Sequence, residues 1–178
     1  GGELPRRAGV TSIGAGGVNV HLILEEYPVV PAAPEAPADA LFVFSAMNVE
    51  RLRALLTRFC AYLEAGPTAS LADVAWSLQI GRNELPCRLA VMAGERSLLH
   101  RRLEHFLATG QTVDGLVFTP SILERDPRVE AGQVADALAH RELTRLGVWW
   151  CDGVTIPWEQ LPGTQQRRRI SLPAYPFE

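Results

Sequence analysis

The sequence predicts an α/β protein built on a small three-stranded sheet with packed helices, preceded by strands that belong to a larger sheet and followed by an extended C-terminal strap. Three observations carry this. Between residues 41 and 118 the apolar period switches between 2 and 3.6 in the order strand, helix, helix, strand, helix, strand. The stretch before it, YPVVPAAPEAPADA, has four prolines and five alanines in fourteen residues and no periodicity, which marks a spacer. The last stretch, LPGTQQRRRISLPAYPFE, has proline and glycine punctuation and no period at all.

Taken in order, the chain first offers TSIGAGGVNVHLILEE at 11–26. Gly14, Gly16 and Gly17 give a backbone free to take positive φ, and after them Val18, Val20, Leu22 and Leu24 alternate with Asn19, His21 and Ile23, a strand period. A dinucleotide fingerprint needs Gly-x-Gly-x-x-Gly opening a helix; here Asn19 holds the third position and a strand follows. Nucleotide binding is therefore rejected. The one or two strands here have nothing nearby to pack on, and a strand pair alone is marginal in water.

Residues 28–40 form the predicted linker. LFVFS at 41–45 is an apolar strand, and Asn48 is placed to cap a helix carrying Val49, Leu52, Leu55, Leu56, Phe59 and Leu63 on one stripe, stopped by Gly66-Pro67. Ser70 and Asp73 form a capping-box pattern for a second helix with Leu71, Val74, Ala75 and Leu78 inward, ending at Gly81. Trp76 lies off that stripe and is expected to cover a neighbouring element. Leu85–Ala93 reads as a strand, with Cys87, Leu89, Val91 and Ala93 on one side and Arg88 on the other. Arg96–Thr109 is a third helix ended by Gly110, and Leu116–Phe118 a third strand. Glu130–Leu146 is expected as one helix, with Val134, Leu138 and Leu146 on its face and Gly147 as its stop.

Composition narrows the functional classes. The chain has 178 residues, 47% hydrophobic and 21% charged, with a net charge of −3, which argues against a general nucleic-acid surface. Arg167–Arg169 is the one dense basic run, expected as a solvated turn or as contacts to acidic groups on a neighbouring domain. No run approaches the roughly eighteen unbroken apolar residues of a membrane span, and the opening GGELPRRAG has no apolar signal core. No membrane association and a cytoplasmic location are the expectation. Cys60, Cys87 and Cys151 lie apart, without a CxxC pair, and are expected as buried thiols. His100 and His105 are off the i, i+4 spacing of a helical metal pair, so no metal site is expected.

Several segments together carry a family likeness. RRAGVTSIGAGGVNVHLILEEY resembles the C-terminal end of the ketosynthase domain of modular polyketide synthases, where a GFGGTNAHVILEE-like segment closes a thiolase-like fold. LFVFSAMNVERLRALLTRFCAYL and SLADVAWSLQIGRNELPCRLAVMAG are similar to the linker domain that follows the ketosynthase. GVTIPWEQL and RRRISLPAYPFE resemble the strap that returns from this linker over the ketosynthase. The resemblance implies ketosynthase strands at 1–27, the linker at 28–40, a flanking linker subdomain at 41–150 and a post-linker strap at 151–178. Between Arg128 and Trp149 there is neither room for an acyltransferase nor a GHSxG-type elbow, and Ala15 stands where many ketosynthases have phenylalanine. Both features resemble synthases whose acyltransferase acts in trans, in which this remnant is called a flanking or docking subdomain.

The implied role is structural: positioning the condensing domain against its neighbours, and docking a trans-acting acyltransferase or acyl carrier protein. No catalytic set is self-sufficient here, since the motifs around the family's nucleophilic cysteine and catalytic histidines are missing. What matches is the oxyanion-hole loop of the parent ketosynthase at Gly14, Ala15, Gly16, Gly17 and Asn19, with the Ala15 N–H as donor. Val18 replaces the usual threonine and Ile13 a usual phenylalanine, both expected as packing variants. Leu172, Tyr175 and Phe177 are implied to pack the strap on the ketosynthase. The chain itself is expected to hold no cofactor; the parent synthase would use phosphopantetheine on its carrier protein and be a homodimer. Two rival readings are one segment of a complete or split ketosynthase, contributing its oxyanion-hole loop to acyl transfer and decarboxylative condensation, and a free-standing interaction module.

Overall fold

The structure is a computed structural model that describes residues 4–26, 39–123, 128–165 and 167–177. The chain divides into two compact units, Gly1–Pro31 and Ala32–Glu178. The predicted linker lies outside the described residues except for Asp39 and Ala40.

The first unit is an antiparallel hairpin of β1 (Arg7–Ile13) and β2 (Asn19–Glu25), in register from Arg7 opposite Glu25 to Ile13 opposite Asn19. One face carries Ala8, Val10, Val20, Leu22 and Leu24, because paired residues point the same way. All fourteen strand residues are exposed within the unit. Charge closes the open end: the Arg6 guanidinium meets the Glu26 carboxylate at 2.6 Å, which lowers the carboxyl's pKa, and Arg7 meets Glu25 at 2.5 Å.

The second unit is built on β3 (Ala40–Ala46), β4 (Cys87–Ala93) and β5 (Leu116–Thr119), an antiparallel sheet in the order β3-β4-β5. On one face Phe42, Phe44, Leu89, Val91, Leu116 and Phe118 meet α1 (Val49–Glu64) and α3 (Arg96–Thr109). Ring pairs lock this layer, Phe44 edge-on to Phe59 at 4.9 Å and Phe106 tilted on Phe118 at 4.8 Å. The helices begin and end as their sequences predict. Asn48 accepts from the Arg51 N–H at 2.9 Å, and Gly110 takes the left-handed conformation, φ 71°, that stops α3. α2 (Leu71–Ile80) lies along the free edge of β3, where the buried Gln79 amide donates to the Leu41 carbonyl at 2.9 Å. A side chain thus satisfies an edge carbonyl that would otherwise be buried without a partner.

The opposite face is covered by α5 (Leu143–Cys151), and here the sequence expectation needs correction. Glu130–Leu146 is not one helix. α4 (Ala131–Ala139) ends in a Schellman turn, with Glu142 N–H donating to the Ala137 carbonyl at 2.9 Å and Arg141 N–H to Leu138 at 3.0 Å. The left-handed position is filled by Arg141, φ 53°, instead of the usual glycine. Gly147 lies inside α5 and does not end it. A Cβ there would sit 3.1 Å from Leu41 Cδ1 and 3.4 Å from Ala90 Cβ, so the glycine lets the helix rest on the sheet.

Arg88, on this second face of β4, is buried beneath α5. It donates to the Trp150 carbonyl at 2.8 Å and the Glu84 carboxylate at 3.1 Å, and its guanidinium lies 4.7 Å from the centre of the Trp150 ring. Trp150 Nε1 donates to the other Glu84 oxygen at 3.1 Å, so one buried cation ties three segments together. Beyond α5 a 3₁₀ turn, Trp158–Gln160, buries Trp158 and leads into a tail without regular structure.

Candidate functional site

The loop between β1 and β2 brings together the first set of predicted site residues, Gly14, Ala15, Gly16 and Gly17, with Asn19 as the first residue of β2. Gly14 N–H donates to Val18 O and Gly17 N–H to Gly14 O, both at 3.0 Å. Two of the glycines are required by this turn. A Cβ on Gly14 would lie 2.9 Å from Val18 O, and Gly17 has φ 85°, whereas Gly16 has open space around it. Among the described residues no acceptor takes the Ala15 N–H, so the loop keeps one main-chain donor unpaired. Across the strands Thr11 Oγ1 and His21 Nδ1 lie 2.8 Å apart, which ties the His21 ring to the neighbouring strand.

The second set, Leu172, Tyr175 and Phe177, lies on the tail, and the tail is anchored by its own unit. Asp73 is the main anchor. Ser70 Oγ accepts from the Asp73 N–H at 3.0 Å, as an N-cap should, while the buried Asp73 carboxylate turns outward from the helix and accepts from Arg168 N–H at 2.9 Å. Ser77 Oγ accepts from Ile170 N–H at 2.8 Å, Arg82 donates to the Pro173 carbonyl at 3.1 Å, and Tyr175 Oη accepts from Met47 N–H at 3.1 Å. A strap without a helix or strand thereby fills its main-chain hydrogen bonds with side chains of α2 and the loop after it. Of the predicted Arg167–Arg169 run, Arg168 faces Asp73 at 3.7 Å and Arg169 is exposed.

Leu172 and Tyr175 are half-buried, and they wall a largely apolar cavity of about 390 Å³ whose other sides are Phe44, Leu55, Phe59 and Leu78. Phe177 lies at its rim, 82% exposed, with its ring 4.8 Å from that of Tyr175. Met47, 59% exposed, is on the same rim.

The three cysteines are buried free thiols, and burial pushes Cys60 and Cys87 up to about 11, Cys60 with added repulsion from Glu104 and Glu64. Neither Cys60 nor Cys87 has the lowered pKa of a nucleophile. Sequence reasoning missed two groupings. Asp73 reads as a helix-cap residue, and its service to a residue 95 positions away has no local signal. Glu64, His100 and Glu104 converge between α1 and α3, although His100 and Glu104 do stand at i, i+4.

With this geometry in view, comparison with known proteins is specific. Residues 43–110 match the family described as "RhiE-like, KS-MAT linker domain". The whole chain is similar to polyketide synthase PksR of Bacillus subtilis, 34% identical over 100% of the chain and 8% of PksR. It is also similar to polyketide synthase ThaQ of Burkholderia thailandensis, 38% identical over 100% of the chain and 9% of ThaQ. Among solved structures, the ketosynthase from module 6 of the Bacillus subtilis bacillaene synthase matches with a TM-score of 0.72 and 29% identity, covering 98% of the chain and 31% of that protein. The chain therefore spans under a third of the ketosynthase and under a tenth of either synthase. Residues 43–110 are accordingly a RhiE-like KS-MAT linker domain, within a chain that belongs along its length with the ketosynthase region of polyketide synthases.

Proposed function

We propose that the chain is a non-catalytic, structural portion of a polyketide synthase: the closing strands of a ketosynthase, its linker domain and the strap that follows. The observation that carries this is the hairpin. Val10, Val20, Leu22 and Leu24 form an apolar face that is 46 to 57% exposed, in a two-stranded sheet that cannot be independently stable. A ketosynthase body is the surface that would cover it. The linker domain, with a complete core of its own, would hold the condensing domain at a fixed distance from its neighbours. The strap would continue from its seat on α2 over the ketosynthase, with Phe177 and Met47 meeting that body.

α4 and α5 occupy the stretch between residues 131 and 151, which supports a linker joined directly to its strap and an acyltransferase supplied in trans. That acyltransferase, and the acyl carrier protein with its phosphopantetheine, are the proposed further partners, in a cytoplasmic, homodimeric synthase. Among the described residues no helix is long and apolar enough to cross a membrane. Hydrogen exchange tests the central point. Amides of 7–13 and 19–25 should exchange rapidly in the chain alone and slowly when it is joined to the ketosynthase body. Equal protection in both settings would favour the free-standing interaction module and end this reading. For docking, titration with the cognate acyltransferase should show binding that Arg101→Glu, on the exposed side of α3, weakens; no saturable binding removes the acyltransferase from the scheme.

The unaccepted Ala15 N–H favours a second reading, in which the loop lends an oxyanion donor to a ketosynthase body carried on another chain. Intact mass spectrometry decides between them: a copurifying upstream chain with a nucleophilic cysteine supports the split enzyme.

A further inference from the structure

Glu64 ends α1, and His100 and Glu104 stand one turn apart on α3, so two packed helices bring an imidazole and two carboxylates to one point. His100 Nε2 lies 3.1 Å from Glu64 Oε1 and His100 Nδ1 3.2 Å from Glu104 Oε2. One ligand atom from each residue can be chosen so that all lie within 4.8 Å of one another. A neutral imidazole has a single N–H and can satisfy one of these carboxylates; the other then faces a nitrogen lone pair. The ring nitrogen that carries the lone pair, the carboxylate it faces and the second carboxylate, with ligand atoms within 4.8 Å of one another, form a donor set for a cation.

We propose that Glu64, His100 and Glu104 form a divalent transition-metal site that staples α1 to α3, with zinc the ion used to test it. The ligand types exclude the alternatives stepwise. An imidazole nitrogen disfavours magnesium and calcium, which take oxygen ligands, and suits zinc, cobalt and nickel. The i, i+4 spacing of His100 and Glu104 puts both on one helix face, and Glu64 reaches them from the last turn of α1. Three protein ligands leave a position for water, and access is open. Glu64 and Glu104 side chains are 62% and 57% exposed, at the mouth of a groove that also holds His105 and the Cys60 thiol. The His100 side chain, 21% exposed, is held more firmly by its surroundings, which supplies one preset ligand to two adaptable ones. His105 points to the same groove but is not within the converging set, so it distinguishes a specific site from casual histidine binding.

The test is zinc titration of the full chain, stripped with chelator, followed by calorimetry and by the visible spectrum of the cobalt form. One ion per chain is expected, with a four- or five-coordinate cobalt spectrum and a higher melting temperature. Binding should weaken about tenfold or more in His100→Gln and in Glu104→Gln and stay unchanged in His105→Gln. Glu104→Gln changes an exposed position, so its melting curve without metal should match the parent and show that lost binding is not lost folding. No saturable uptake at millimolar zinc overturns the proposal. So does binding that survives both ligand substitutions, or that disappears in His105→Gln.

Discussion

The hairpin strands β1 and β2 and the linker-domain strand β3 are all antiparallel and seven residues long, yet β1 and β2 are exposed at every position while β3 is exposed at none. The difference is not in local sequence. VHLIL in β2 has four aliphatic residues and one histidine against the four apolar residues of LFVF in β3, and both satisfy their backbone in a ladder. What β3 has in addition is cover on each side: Phe59 and its helix on one face, Gly147 and its helix on the other, and Gln79 along the edge. Strand formation is thus a local property in this chain and strand stability a property of what is stacked on it.

The largest effects should separate the two regions in a single measurement. Phe59→Ala removes a ring that is 1% exposed and edge-on to Phe44, and should cost about 3–5 kcal/mol in urea unfolding. Leu22→Ala, in a side chain 54% exposed, should stay within about 0.5 kcal/mol in the same chain. If the two costs were similar, the hairpin would have a hidden partner within the chain and the contrast would fail.

Next in size is the strap. Asp73→Ala leaves the Arg168 N–H and guanidinium without their carboxylate, at a cost of about 1–3 kcal/mol. Limited proteolysis should then cut the strap after Arg167–Arg169 faster than the helices, while Asp73→Asn, which keeps an acceptor oxygen, should restore most of the protection. Unchanged cleavage would mean that the cavity contacts of Leu172 and Tyr175 hold the strap without its polar anchor.

Alkali gives a graded version of the same contrast. Cys60 and Cys87 are buried acids whose folded pKa, about 11, lies above that of a free thiol. The unfolded chain therefore loses these protons first, and stability present below the unfolded value is lost as pH rises through the folded one. Unfolding followed in steps between about pH 8.5 and 11 should show a falling midpoint, reduced in Cys87→Ala after allowance for its lost packing. The hairpin, which has no thiol, should show no such step in its hydrogen exchange.

Much of the linker domain could be read in advance because its signals are local. Asn48, the stripe from Leu52 to Leu63, and Gly110 announce their helices within a few residues. The break at Arg141 could not be read, because the left-handed position carries arginine and the visible glycine, Gly147, serves packing against Leu41 and Ala90. At the candidate sites the same rule applies. The glycine loop is contiguous, so its turn was legible. The seat of the strap on Asp73 and Ser77, and the meeting of Glu64 with His100, join residues 95, 93 and 36 apart, and no spacing in the sequence records them.

The smallest effects lie within the glycine loop, where they sharpen what the hairpin contributes. Gly16→Ala meets open space and requires no positive φ, so hairpin opening should change by only a few tenths of a kcal/mol. Gly14→Ala forces a methyl to 2.9 Å from Val18 O, and Gly17→Ala must hold φ at 85°, so each should open the hairpin by about 1 kcal/mol more. In the chain alone this difference appears only as faster exchange at the Gly17 and Asn19 amides, since the hairpin adds little to global stability. Joined to a ketosynthase body, the same two substitutions should become visible in global unfolding, because the sheet they distort is then covered. Equal behaviour of all three alanines in both settings would show that the loop conformation is not what couples this hairpin to its partner.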